Sequence, residues 1–409
     1  VGLALALTAG VADAGRTRLD VVPSFVATPV QQAGGLCAAP CAYHFDATAT
    51  TSVQTSQPFH DLSYEWIFGD GGTDSRAIAG HVYEQPGTYQ VVLIVTDALG
   101  SAKYFVPQFV HVANPALVAR IDLQRGQTYS APSLAASGGG IVRAVGTGAP
   151  PVITGTVTMR PNWTLTGVDV RGGIQMPPMT DGVTIHDVSA RGVSHQTGQR
   201  SRHSDRFALS RSRIQSRPTG TLVFLSVERG MVLDNYLDNE WQGEFNLRTV
   251  HFPRSVIARN EMRRPGDPAN GGGGGQRNNL QLRGWATPVP PPNVPTEYVV
   301  IADNVLLEST GEWIIRGCAS NLCGSESGSP PLRNVLVEGN RAVGSMREFV
   351  NAQGSDWTVR GNDLTGWTGR WVTNQAPTVG ASGSGGIEVY GNDLGGRPAV
   401  CSGGAVRCE

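Results

Sequence analysis

The chain has 409 residues, 40% of them apolar, enough to bury a core in two or three domains and to exclude a disordered polymer. Its 32 basic and 33 acidic residues leave a net charge of -1, which excludes a bulk electrostatic affinity for nucleic acid or an anionic membrane. The 53 glycines, set among many Val, Thr and Asn, are the usage of a β-rich chain with frequent tight bends.

Taken in chain order, Val1 to Ala14 is a short apolar run ending in Ala12-Asp13-Ala14. It reads as the remainder of a signal peptide, too short to span a bilayer, with a buried strand as the other reading. The cysteines fall into three close pairs, Cys37 with Cys41, Cys318 with Cys323, and Cys401 with Cys408. Local disulfides in an oxidising compartment are the expectation, because zinc ligation would need histidines or a second CxxC nearby. The protein is therefore expected to be secreted or exposed at the cell surface. Lys103 is the sole lysine, so positive charge is almost all guanidinium, by base composition or for planar recognition of carboxylates.

Residues 15–114 read as a β-sandwich of short alternating strands. In HVYEQPGTYQVVLIVTD (81–97), Pro86-Gly87 makes a turn, and Tyr89, Val91, Leu93 and Val95 then share one face. This region resembles the PKD family of immunoglobulin-like domains. The family's W-x-F-G-D-G stands here as Trp66 to Gly71, its H-x-Y-x-x-P-G-x-Y as His81 to Tyr89, and FDAT at Phe45 to Thr48 also fits. The resemblance implies that Trp66 and Tyr83 are core, that Asp70 braces a turn, and that the module is an extracellular spacer or interaction domain.

Residues 115–409 carry a repeat, apolar-x-apolar-x-x-(Asn or small)-x-apolar, as in SVIARNEM (255–262), VVIADNVL (299–306) and WTVRGNDL (357–364). The spacing, about 20 to 25 residues with a few longer steps, suits one coil of a three-faced β-helix whose insertions leave as loops. The sixth position runs Val168, Val188, Ser212, Asn235, Asn260, Asn304, Asn340, Asn362 and Asn392. Asn is expected there because it tolerates a left-handed bend and can ladder. Arg125 to Val170 resembles the first coils of the pectate-lyase-like superfamily, which implies a right-handed parallel β-helix. The paired-Asp motifs of polygalacturonases are missing, and the domain has no lysine to serve as a lyase base. The whole chain is thus expected to be all-β, an immunoglobulin-like sandwich followed by a three-faced solenoid with a C-terminal disulfide loop.

A second strand column, VFLS (223–226), FNLR (245–248), LQLR (280–283), WIIR (313–316) and FVNA (349–352), aligns Arg248, Arg283 and Arg316 at its fourth position. By strand alternation these point outward on consecutive coils. The column is expected to grip an acidic polysaccharide, with Trp241 and Trp285 as stacking platforms; a solvated Arg–Glu ladder is the other reading. For cleavage, Glu244 and Glu312 are the candidate hydrolytic pair, and Arg283 the candidate base of a lyase, against its high pKa. His251 and Tyr298 are further proton-transfer candidates. No cofactor and no metal are expected, since His186, His195 and His203 match no metal spacing. Oxygen ligands at Asp234, Asn235, Asp238, Asn239 and Glu240 are dense enough for Ca2+, or for a polar turn. The competing functional reading is a non-catalytic, self-associating surface or filament protein, with the solenoid as a rod and the sandwich as a joint.

Overall fold

The computed structural model describes residues 20–408 apart from 101, 196–202, 216–220, 241–243, 266–277, 284–294, 310–312, 319–331, 345–347, 353, 367–377, 382–384, 397–399 and 403–405. The fold is all-β, an immunoglobulin-like sandwich followed by a right-handed parallel β-helix. In the sandwich, Val26–Pro29, Cys41–Asp46 and Ile78–Tyr83 form one antiparallel sheet. Thr73–Asp74, Ser63–Ile67, Gly87–Thr96 and Lys103–Val112 form the other. Val91, Leu93 and Val95 are buried between them. Trp66 and Tyr83 are fully buried, and their polar ends are satisfied: indole Nε1 donates to the Arg76 carbonyl at 2.6 Å, and the phenol donates to the Phe68 carbonyl at 3.0 Å. Asp70 Oδ1 accepts the Gly72 amide at 3.0 Å, closing the turn. Cys37 and Cys41 form a disulfide.

After a single 3-10 turn at Pro115–Leu117 the chain winds into coils whose strands stack in parallel. One coil illustrates the plan: Ser255–Ala258 lies in a first sheet (sheet I), Glu261–Arg263 in a second (II), and Asn278–Arg283 in a third (III). Sheets I and III merge through the long strand Thr221–Leu233, which passes the corner between them without a break. Inward residues such as Val223, Leu247, Leu280 and Ile315 fill one continuous core.

The asparagine corner differs from its expected conformation. Left-handed backbone falls one residue earlier, at Asp187, Arg211, Asp234, Arg259 and Asp303, with φ between 47° and 58°, and at Gly339, Gly361 and Gly391. The asparagines point into the corner between sheets I and II. Nδ2 of Asn235, Asn260, Asn304 and Asn340 donates to Oδ1 of the next asparagine at 2.9, 2.9, 2.9 and 3.0 Å, and each backbone amide donates to that same oxygen. The side chain therefore satisfies backbone groups that the bend removes from the sheets, which is a more demanding task than tolerating the bend.

The sandwich is not a joint. Its sheet Cys41–Asp46/Ile78–Tyr83 lies flat on the outer face of sheet I. There Ala208, Met231, Val256, Val300 and Leu336, all pointing away from the solenoid interior, join the core of the sandwich. Every residue of Cys41–Asp46 is consequently buried. At the rim, the sandwich meets the left-handed corner residues with matched charge: Glu84 on Arg211, Asp74 on Arg259, and Arg76 on Asp303. Arg254 pairs with Asp46 at 2.8 Å, and His44 Nε2 bonds the Arg254 carbonyl at 2.7 Å. The two domains form one body.

Candidate functional site

Sheet III is the face bounded on both sides by the longest insertions in the coils. Segments 266–277 and 367–377 join it to sheet II, and 284–294 and 319–331 join it to sheet I. Its outward column, read from the pairing of successive strands, is Thr158, Gln175, Ser194, Phe224, Arg248, Gln281, Arg316 and Asn351. Strand alternation puts the apolar neighbours of these residues inside and leaves the column facing out.

The expected stack of three arginines is not formed. Arg248 stands beside Gln281, and Gln281 beside Arg316, whereas Arg283 lies two residues further along its strand, opposite Cys318. LQLR is shifted by two relative to its predicted alignment, and VFLS likewise, so that Phe224 rather than Ser226 faces Arg248. A shift of two keeps every side chain on the same face, so alternation alone cannot detect it. In FVNA the outward residue is Asn351; Ala352 is buried inside.

Burial divides the column. Thr158 to Arg248 is half-buried and reaches solvent, but Gln281 and Arg316 are only 2% and 7% exposed. Arg248, Gln281, Arg316 and Asn351 all have interactions within the protein. The Arg248 guanidinium carbon lies 5.9 Å from the Phe224 ring and 5.4 Å from the Phe245 ring, within cation–π range.

Beside Phe224 and Arg248, at the edge towards sheet I, the fold gathers groups that are far apart in sequence. Ser226 and His251 are paired across a bulge. His203 stacks on His251 with ring centroids 3.8 Å apart, and its Nδ1 is 2.8 Å from Ser226 Oγ. His195 Nε2 is 2.8 Å from Ser204 Oγ. Burial, reinforced by the charge of His203, lowers His195 to about 4 and His251 to about 3, and burial lowers His203 as well. These imidazoles are neutral at ordinary pH, able to accept or relay a proton. His251 was legible as a candidate; its pairing with His203 and Ser226 was not, because only coil stacking makes them neighbours. His186 lies elsewhere, 2.9 Å from Glu84 of the sandwich.

Of the other expected site residues, Glu244 is exposed just before the strand Phe245–His251. Trp241, Trp285, Glu312 and Cys323, and the side chains of Cys318, Cys401 and Cys408, lie outside the described residues. Tyr298 packs edge-on against Phe59 at the domain interface, away from sheet III. The residues weighed for Ca2+ are engaged with protein groups: Asp234 with Arg259, Asp238 with Arg264 and Tyr236, Asn235 in its ladder, and Asn239 with the Phe245 carbonyl. Among the described residues, no three His, Cys, Asp or Glu side chains are grouped to hold a metal ion, and no helix is long and apolar enough to cross a membrane.

Comparison with known proteins divides at the domain boundary. Residues 26–110 match the PKD domain family. The PKD1 domain of Vibrio anguillarum Epp is 23% identical over 23% of this chain and 95% of its own, with a TM-score of 0.19. Two phage proteins are similar over a larger share of the chain. The Dettilon tailspike protein is 14% identical, covering 67% of this chain and 54% of its own with a TM-score of 0.44. A tailspike of E. coli bacteriophage HK620, solved in complex with a pentasaccharide, is 12% identical over 66% of this chain and 58% of its own, at a TM-score of 0.30. The chain thus spans somewhat over half the length of these tailspikes. No curated protein matches it.

Proposed function

We propose that this protein acts outside the cell and binds a polysaccharide laid across the coils of sheet III. The observation that carries the reading is the outward column itself: amide, hydroxyl, ring and guanidinium groups succeed one another at the coil spacing on the face flanked by the longest insertions. An extended glycan has the complementary form, with hydroxyls for the polar groups and C–H faces for the Phe224 ring. Arg248, steadied by two phenyl rings, is the group suited to a glycan carboxylate. His251, three residues along the strand from Arg248, and His203 stacked on it supply proton acceptors should the bound glycan also be cleaved. The carboxylate pair Glu244 and Glu312 remains a proposal for hydrolysis, and Arg283, 7% exposed, is the weaker candidate for a base.

A glycan screen with the purified chain tests this, recording binding together with new reducing and unsaturated ends. Binding that weakens in Arg248→Ala without loss of the folded state supports the reading, and failure to bind any glycan removes it. A second reading, a non-catalytic surface or filament element, draws on the shared apolar core of the sandwich and sheet I. It predicts concentration-dependent assembly with no glycan bound.

A further inference from the structure

We infer that the outer face of the sandwich is a second glycan-binding surface, a strip of three rings that seats the C–H faces of a neutral polysaccharide. It goes beyond the reading of sheet III and is independent of it, since every residue concerned belongs to the other domain.

The solenoid covers the sheet that contains Cys41–Asp46, so the other sheet of the sandwich turns its outer face to solvent. In Lys103–Val112, Val110 and Val112 point inward and are buried, whereas Phe105, Pro107 and Phe109 point outward and are exposed. Strand rise sets these three rings in one line, about 7 Å from each to the next. Phe105 is 54% exposed and Phe109 60%. Beside Phe105 the pairing places Ile94, and beside Pro107 it places Val92 and then Ile67. The floor next to the rings is therefore apolar as well. Gln90 stands beside Phe109, and Glu65 lies beyond Ile94, giving the strip a rim of hydrogen-bonding groups.

The size of the strip opposes a stable protein partner. Its two half-exposed phenylalanines offer about 230 Å². With the aliphatic neighbours the strip reaches roughly 400 Å², half of the about 800 Å² that each side of a stable interface buries. Strand addition is opposed too. Lys103–Val112 is the last strand of its sheet, and the Asp97 amide donates to the Ala102 carbonyl at 3.1 Å. Counting alternately from that bonded pair, Val92 and Pro107 form a non-bonded one. The N–H that Pro107 lacks would have faced the open edge, so an incoming strand finds no donor there.

A line of rings on a sheet matches a linear ligand instead. Sugar rings lay their C–H faces on the phenyl and pyrrolidine rings while their hydroxyls reach Gln90 and Glu65. The outward charges next to the strip are one acid, Glu65, and one cation, Lys103. They cancel, which favours a glycan without charge.

The test is affinity electrophoresis of the full chain through gels containing hydroxyethyl cellulose, galactomannan or xylan. Phe105→Ala/Phe109→Ala and Phe105→Trp/Phe109→Trp run beside the wild type; both rings lie outside the core, so thermal midpoints should stay unchanged. At least one of these neutral glycans should retard the wild type. The alanine pair should weaken that affinity by about ten-fold or more, the loss of two ring contacts, and the tryptophan pair should keep or strengthen it. Absence of retardation in all three gels, or equal retardation of the alanine pair, overturns the inference. Retardation abolished by Arg248→Ala but not by the alanine pair belongs to sheet III, so that reading then survives alone. A wild-type dimer in sedimentation that the alanine pair dissolves makes the occupant a second copy of the chain and likewise overturns it.

Discussion

Arg259 donates from Nη1 to Asp74 of the sandwich at 2.8 Å and from Nε to Asp234 of its own preceding coil, also at 2.8 Å. It thus joins a corner of the solenoid to the neighbouring domain from a left-handed backbone position, φ 58°. The Asp74 side chain is 4% exposed and is held by Arg259, by Arg76 at 3.9 Å and by the Ser75 amide at 2.7 Å. Arg259→Ala should cost about 1 to 2 kcal/mol, between an exposed and a buried pair, because Arg259 is 35% exposed and Arg76 stays beside Asp74. Denaturant titration measures it; a change within experimental error would mean that water replaces the guanidinium at no cost.

The apolar seam predicts cooperativity. Since Met231, Val256, Val300 and Leu336 are buried only by the sandwich, the domains should unfold in one calorimetric transition. A chain starting at residue 115 should expose this strip and aggregate or bind a hydrophobic dye. Two separated transitions in the full chain would contradict the fused body.

Asn304 sits in the middle of its ladder, giving Nδ2 to Asn340 and to the Ile257 carbonyl while its Oδ1 accepts from Asn260. Asn304→Ala leaves those buried groups without partners and should destabilise by about 3 kcal/mol. Asn392, half-buried at the upper end, should cost clearly less when replaced in the same way. Equal losses at both positions would show that the ladder has no interior advantage.

Acid should destabilise the protein well above the carboxylate range. Burial lowers His44, His60 and His195 to about 4 and His251 to about 3. The unfolded chain takes up protons from about pH 6.5 downward, while the folded chain resists until near pH 4. Stability is therefore full above about pH 6.5 and falls as the pH drops towards 4, by up to about 1.4 kcal/mol per unit for each histidine. Thermal midpoints from pH 7.5 to 4.5 should fall steeply, and His251→Gln should flatten that slope. An unchanged slope would exclude His251 from the titration.

How much of this was readable in the residues themselves follows from what local rules constrain. Turn chemistry and two-residue alternation determined the sandwich of short strands and the recurrence of Asn235, Asn260 and Asn304 once per coil, because each depends on near neighbours in the chain, whereas the burial of Trp66 and Tyr83 was implied by the resemblance to the PKD family. Register across coils was decided only by the tertiary structure. Sliding Arg283 by two residues preserves its face, so nothing in the alternation opposes an alignment with Arg248 that packing rejects in favour of Gln281. The docking of the sandwich was equally hidden: the apolar outward residues of sheet I read as ordinary strand composition until a second domain covers them. The meeting of His203, His251 and Ser226 likewise exists only because successive coils stack, bringing together side chains that the linear chain keeps far apart.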